Sequence, residues 1–363
     1  MTKKCPLLWS HVRMHLDGTV LPCCMFDVEK IPNKNLAIPK TKDGIQSAFN
    51  SELFEDVRYR MSNGEEVPEC YRCWHSERTS NDSLRLQSFE GFGDHIGNKK
   101  IRYIETAFSS HCNLACRMCN ETFSSKWKLI NNPGMSPDTT IDNDSLDYYD
   151  GDLSELKLIK LVGGEPLLDK KHEPFLKMLF DKSDKPEDII LYYNTNGTIK
   201  PKQPVLDFWK KAKKVILVFS IDGIGELNEI LRPPHDWKTI SDNVDYFKTL
   251  EGINFEFRMH TVISVANIKH LMPLVQYSMT NFNQMPEFDL LTHPEHLSLQ
   301  NIDYKDEVTD FIYNNYSHVT DKLSYVTDFI NQPSDKSYSK EDICNAETKI
   351  TKYFKTNGIS NLL

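Results

Sequence analysis

No apolar run in the 363 residues approaches the roughly 20 consecutive residues that a membrane span requires, and residues 1–9 are too weakly apolar for a secretory signal. A cytoplasmic, membrane-free location is the expectation. A positive net charge is also missing. With 43 Lys and Arg against 52 Asp and Glu, the formal charge is −9, so no global basic field is available to grip nucleic-acid phosphates. The chain shows no low-complexity tract and no repeat beyond an alternation of strand-like and helix-like segments. Its length exceeds the roughly 250–300 residues at which one core stops growing, so a main domain with a smaller companion is expected.

Nine cysteines stand out against this ordinary composition. In a small secreted domain they would read as disulfides, but tight spacing in a large chain without a signal favours metal binding. Cys112, Cys116 and Cys119 follow a C-x3-C-x2-C pattern. Three thiolates on one short loop can ligate three corners of a four-iron cluster and leave the fourth iron open, which makes a reaction site rather than a simple electron carrier. Cys5, Cys23, Cys70 and Cys73 form a second ligand set, with Cys24 competing for the place of Cys23. A structural zinc ion would use the same four thiolates. Cys24 and Cys344 otherwise read as unligated thiols.

From residue 99 onward, six strand-like runs are expected over 101–108, 156–162, 189–194, 215–221, 255–263 and 288–292. Amphipathic helices are expected between them, over 121–130, 173–180, 204–212, 237–250 and 268–279, with an irregular insertion over 131–153. This pattern predicts an α/β fold, a partial (β/α)6 barrel of the TIM type. Residues 1–98 read as a small metal-stapled module with one helix over 45–61. Residues 99–300 read as the barrel, and residues 301–363 as a helical extension with helices over 305–316, 322–330 and 340–354. The strand ends carry the cysteine triplet, Gly163-Gly164-Glu165-Pro166, Thr195-Asn196-Gly197 and Ser220-Ile221-Asp222-Gly223. Those ends share the barrel rim on which sites are built.

The triplet, with these loops in register behind it, resembles the signature of the radical S-adenosylmethionine (SAM) superfamily. The resemblance implies a [4Fe-4S] cluster on Cys112, Cys116 and Cys119 whose open iron is chelated by SAM. It also implies reductive cleavage of SAM to a 5′-deoxyadenosyl radical that abstracts a substrate hydrogen. Gly163, Gly164 and Glu165 are similar to the loop that holds the SAM amino group, Ser220 and Asp222 to the ribose loop, and Arg232 to an arginine on the SAM carboxylate. Residues 261–267 correspond to an adenine-contacting stretch. Met118 departs from the pattern, which usually has an aromatic residue there, yet it is apolar and polarisable enough to cover a cluster.

The stretch from Leu16 to Cys23, which reads Leu-Asp-Gly-Thr-Val-Leu-Pro-Cys, together with Cys70-x2-Cys73 resembles a SPASM or twitch module. This implies one auxiliary [4Fe-4S] cluster on Cys5, Cys23, Cys70 and Cys73. Such a module usually follows the barrel, and here it precedes it. By the same resemblance the partners are a flavodoxin or ferredoxin-type electron donor and a peptide or protein side chain as substrate. A small molecule or sugar is the second reading, and a non-catalytic, zinc-stapled binding protein a third of another class. Glu105, Arg258, His260 and His293 are candidates for the barrel interior; no catalytic acid or base is assigned.

Overall fold

A computed structural model describes residues 3–132, 146–316 and 320–356. The chain opens with strands β1 (His11–Met14) and β2 (Val20–Leu21), then helices α1 (Ile45–Phe49), α2 (Glu52–Ser62), α3 (Tyr71–Ser80) and α4 (Leu84–Phe92). The core follows as β3 (Tyr103–Ala107), α5 (Ser125–Asn131), β4 (Leu158–Val162), α6 (His172–Lys182), β5 (Ile190–Thr195), α7 (Gln203–Lys211), β6 (Lys214–Ser220), α8 (Glu226–Leu231), α9 (Trp237–Lys248), β7 (Phe255–Ile263), α10 (Leu271–Phe282) and β8 (Glu287–Leu290). Helices α11 (Lys305–Tyr316), α12 (Thr320–Ile330) and α13 (Lys340–Thr356) close the described chain.

All eight strands lie in one open sheet of order β2-β1-β3-β4-β5-β6-β7-β8, parallel throughout except for β2 against β1. This is the expected partial barrel, with one addition. In the N-terminal module, β1 pairs in parallel with β3 and carries the sheet into residues 11–21.

Strand alternation divides the two faces. Val12, Ile104, Ile159, Leu161, Leu191, Tyr193, Val215, Leu217, Phe219 and Met259 point outward into the main core, where they meet Phe175, Leu176 and Leu179 of α6, Trp209 of α7 and Phe247 of α9. The residues between them, including Arg13, Glu105, Lys160, Tyr192, Arg258 and His260, are left on the inner face. The parallel strands are short and covered by helices on the outside, so the outer positions are almost continuously apolar.

Several boundaries differ from the sequence reading for local reasons. Helix α5 begins at Ser125 because the Ser124 hydroxyl caps it, accepting from Trp127 N. Residues 45–61 split into α1 and α2 at Asn50-Ser51. Helix α10 starts at Leu271, after a 3-10 turn over Ile268–His270. Helices α3, α4 and α8 are additional, and α8, at six residues, is too short to show a helical period. Residues 133–145 of the expected irregular insertion lie outside the described residues.

At the heart of the outer core, His172 is 2% exposed; its Nε2 lies 2.7 Å from the Tyr193 hydroxyl, which also accepts from Trp209 Nε1 at 3.0 Å. Burial depresses the His172 pKa from 6.5 to about 3. Below pH 6.5 the unfolded chain therefore takes up a proton that the folded chain refuses. Stability should fall as pH drops from 6.5 towards 3, by up to about 1.4 kcal/mol per unit from this group. His172→Gln should flatten that part of a urea-unfolding profile measured against pH.

Candidate active site

The loops that follow β3 to β6 meet at one rim. The β4 end is zipped to the cysteine loop by backbone bonds, Gly164 N to Ser109 O at 3.1 Å and Glu165 N to His111 O at 2.8 Å. Both glycines are required there. Gly163 has φ +111°, and a Cβ at Gly164 would overlap the His111 carbonyl.

Glu165, 1% exposed, accepts from Leu167 N at 3.1 Å, Thr195 Oγ1 at 2.9 Å and Asn196 N at 2.7 Å. Burial raises its pKa to about 7 against those three donors, which work to lower it. Asn196 continues the rim by donating from Nδ2 to Asn113 Oδ1 at 2.9 Å and lying 4.0 Å from Cys112 Sγ. The Thr195-Asn196 pair thus ties the carboxylate to the cysteine loop.

Asp222 and Arg232 meet directly. Arg232 Nε donates to Asp222 Oδ2 at 2.6 Å, while Asp222 Oδ1 accepts from Val262 N at 2.8 Å. Both carboxylate oxygens are therefore engaged within the protein, and Ser220 is left as the side chain of that strand end with no recorded partner among the described residues. Arg232 Nη1 lies 3.7 Å from Cys116 Sγ. Burial lowers the Arg232 pKa, but Asp222 and Cys116 outweigh it and keep the guanidinium charged. Asn267 does not cap its helix. Its Oδ1 accepts from Ser264 N at 2.8 Å and its Nδ2 donates to Asp222 O at 3.0 Å and Val262 O at 2.9 Å, locking residues 261–267 to the β6 end.

The three thiols suit a metal cluster. Two of the sulfurs face donors, as thiolates would, with Leu114 N at 3.5 Å from Cys112 Sγ and Arg232 Nη1 beside Cys116, while Cys119 Sγ lies 3.6 Å from Asn120 O. Burial pushes Cys112 up to about 11 and raises Cys116 and Cys119 above the ordinary thiol range. Metal ligation offsets that cost by fixing the thiolate.

The loop is also clasped from the far end of the chain. Arg117, 7% exposed, donates to Ile230 O at 2.8 Å, to Glu347 Oε2 at 2.5 Å and to Thr351 Oγ1 at 2.7 Å. Glu347 Oε1 lies 3.0 Å from His296 Nε2, and Ile350 packs on Ala115 and Ile130. One face of α13 therefore covers the loop. No motif in the sequence announces this contact.

In the N-terminal module, Cys5, Cys23, Cys70 and Cys73 line one small pocket with Leu7, Met25, Met61, Leu84 and Arg85. Cys70 precedes α3 and Cys73 lies in its first turn, so the C-x2-C pair straddles the helix start. Burial raises all four thiols, Cys5 to about 12. Among the described residues, no three His, Cys, Asp or Glu side chains stand grouped as a metal ion would require, at this cysteine set or at the other. Cys24 does not line this cavity; its electrostatic neighbours are Glu105, Lys160 and Arg13 on the inner face of the sheet.

Comparison with known proteins matches residues 106–276 to the family described as the radical SAM superfamily, and residues 5–74 to SPASM, an iron-sulfur cluster-binding domain. A GTP 3′,8-cyclase of Aliarcobacter butzleri (strain RM4018) is 28% identical over 114 residues, 31% of each chain. The chain thus spans about a third of that curated relative. Among solved structures, native anSMEcpe with bound AdoMet aligns at 18% identity over 62% of each chain, with a TM-score of 0.45. Streptococcus suis SuiB bound to S-adenosylmethionine aligns at 15% identity over 81% of this chain and 62% of that one, with a TM-score of 0.38.

Two outcomes follow from the geometry. Gly164→Ala should force the β4 end off the cysteine loop and lower the iron retained after reconstitution, whereas Gly91→Ala, whose Cβ meets nothing within 4 Å, should leave it unchanged. Glu347→Gln should cost about 1.5–3 kcal/mol, the range for a hydrogen bond to a charged group, and shift the urea midpoint accordingly.

Proposed function

We propose that this chain, which belongs to the radical SAM superfamily and carries a SPASM iron-sulfur domain ahead of its core, is an enzyme that cleaves SAM reductively and abstracts hydrogen from a peptide or protein side chain. The observation that carries the reading is the convergence of the cysteine loop, Glu165, Asn196 and Arg232 on one rim, tied by hydrogen bonds from three strands. When bound, the reduced cluster and SAM supply a 5′-deoxyadenosyl radical.

The residues then have separate tasks. Cys112, Cys116 and Cys119 hold the cluster. Glu165, fixed by its three donors, presents a carboxylate edge for the SAM amino group, and protonation near pH 7 would weaken that contact. Arg232 holds positive charge beside Cys116, suited to a carboxylate. Ser220 offers its hydroxyl to the ribose, with Asp222 acting mainly by orienting Arg232. Gly163 and Gly164 allow close backbone approach. In the N-terminal module Cys5, Cys23, Cys70 and Cys73 would hold an auxiliary cluster able to accept an electron from the substrate.

The peptide substrate class is supported by the pairing of this module with the core and by the polar inner face between them. A flavodoxin or ferredoxin-type protein is the proposed electron donor. No helix among the described residues is long and apolar enough to cross a membrane.

Oxygen-free purification should yield about eight irons per chain, as two four-iron clusters require. With SAM and dithionite the protein should release 5′-deoxyadenosine. Replacing Cys112, Cys116 and Cys119 together with alanine should abolish that release while the iron of the other site remains. Persistent SAM cleavage in the triple variant would overturn the assignment. Mass spectrometry of peptides co-expressed with the protein tests the substrate class, and failure across peptides would favour a small molecule. A colourless protein holding zinc would instead indicate a binding protein.

A further inference from the structure

We propose that Arg13 and Lys160, on either side of Glu105 on the inner face of the sheet, form a subsite for a substrate carboxylate, either an acidic side chain or a chain terminus. The proposal rests on the enzymatic reading above and narrows its substrate class.

The site is a single lateral row across four adjacent strands. Arg13 of β1 stands in register with Glu105 of β3, Glu105 with Lys160 of β4, and Lys160 with Tyr192 of β5. Their sequence neighbours Val12, Ile104, Ile159 and Leu191 point the other way into the helix-covered core, so the row faces the open side of the sheet.

Charge arithmetic distinguishes this row from the rest of the inner face. Elsewhere the lysine and arginine side chains lie close to carboxylates, Lys214 with Glu256 at 2.9 Å and Arg258 with Glu256 at 2.5 Å and Glu287 at 3.1 Å, while the His260 ring lies 2.9 Å from Asp289. Around Glu105 one carboxylate serves two cations. Arg13 Nη1 is 3.4 Å from Oε1 and Lys160 Nζ is 3.8 Å from Oε2, both longer than the roughly 2.7–2.9 Å of a charge-assisted hydrogen bond. Burial works to raise the Glu105 pKa, but Lys160 and Arg13 outweigh it and hold the carboxyl ionised. Two cations therefore share one carboxylate at contact distance, with Asp289 the further acidic group that Lys160 reaches.

The side chains are only 18% and 23% exposed, and Arg13 Nε is buried with no hydrogen-bond partner. A half-used arginine fork and an under-paired ammonium about one carboxylate are together a receptor for a second carboxylate, which would satisfy both. The Tyr192 ring, 5.3 Å from Lys160 Nζ, forms the adjoining wall.

Position agrees with charge. Glu105 lies on the strand that runs into the Cys112 loop, Arg13 lies on the strand that leads through β2 to Cys23, and Cys24 is within electrostatic reach of both. A carboxylate held in this row would anchor a substrate between the two cysteine sites. Hydrogen abstraction at one and electron transfer to the other both need it there.

The test uses the anaerobic holoenzyme with SAM and no reductant, and reads binding by saturation-transfer NMR. The probes are N-acetylglutamyl amide for a side-chain carboxylate, N-acetylglycine for a terminal one, and N-acetylglutaminyl amide as the neutral control. At least one carboxylate probe should bind about tenfold or more tightly than the neutral control, a difference of about 1.4 kcal/mol. Which of the two prevails identifies the source.

Arg13→Met and Lys160→Met should each remove the preference while retaining iron and SAM binding. Glu105→Gln, which deletes the internal competitor, should tighten carboxylate binding. Equal binding of charged and neutral probes, no binding at millimolar concentration, or a preference that survives in the folded Lys160→Met variant overturns the proposal. Release of 5′-deoxyadenosine by the unaltered protein is assayed separately. Its failure would sink the enzymatic reading without touching the carboxylate result.

Discussion

The parallel pairing of β1 with β3 is the contact on which the rest of the arrangement depends. Four residues, His11 to Met14, align with Tyr103 to Thr106, and that register makes the N-terminal module the first edge of the core sheet. Because side chains alternate along a strand, the register sends Val12 and Met14 into the apolar core and Arg13 to the inner face. The turn through β2 then delivers Cys23 into the cavity of the second thiol set and Cys24 away from it. A slip of one residue would bury Arg13 among leucines and undo both results.

At the rim, buried charges are held by neighbours rather than by solvent. Glu165 accepts three hydrogen bonds, Asp222 two, and Arg232 spans Asp222 and Cys116. Burying such groups is costly unless each is satisfied, and a set satisfied from several strands is correspondingly rigid. The cysteine loop shares in this rigidity through the backbone zipper to Gly164 and Glu165, and through Arg117, which reaches a helix 230 residues further along the chain. The α13 contact explains how an irregular loop with three cysteines keeps one conformation.

Much of the architecture was legible because the core strands are short, β-branched and separated by amphipathic helices. The strands β3 to β8 and most of the intervening helices lie where periodicity placed them. Strands β1 and β2, of four and two residues, were not legible: neither is long enough to show alternation, and both form only because β3 offers an open edge. Helix α8 escaped for the same reason of length. Glu105, Arg258 and His260 do lie on the inner face, whereas His293 is solvent-exposed with its side chain 74% accessible. Strand parity within β3 and β7 could have singled out the first three, but no such phase exists in the loop around His293.

By itself the sequence determined the local patterns: three cysteines in a C-x3-C-x2-C spacing, a Gly-Gly-Glu-Pro loop one strand later, and a second thiol set ahead of the core. These are local patterns, and local spacing survives in a linear text. Tertiary structure alone decided that Cys24 faces Glu105 and Arg13 rather than the pocket to which the Leu16–Cys23 pattern assigns Cys23, that Asp222 is spent on Arg232, that α13 clasps the cysteine loop, and that Arg13 and Lys160 share one carboxylate. Each of these depends on the register between strands or on packing between segments tens to hundreds of residues apart. Such relations are set by the burial of the whole apolar face and leave no mark on the residues that inherit them.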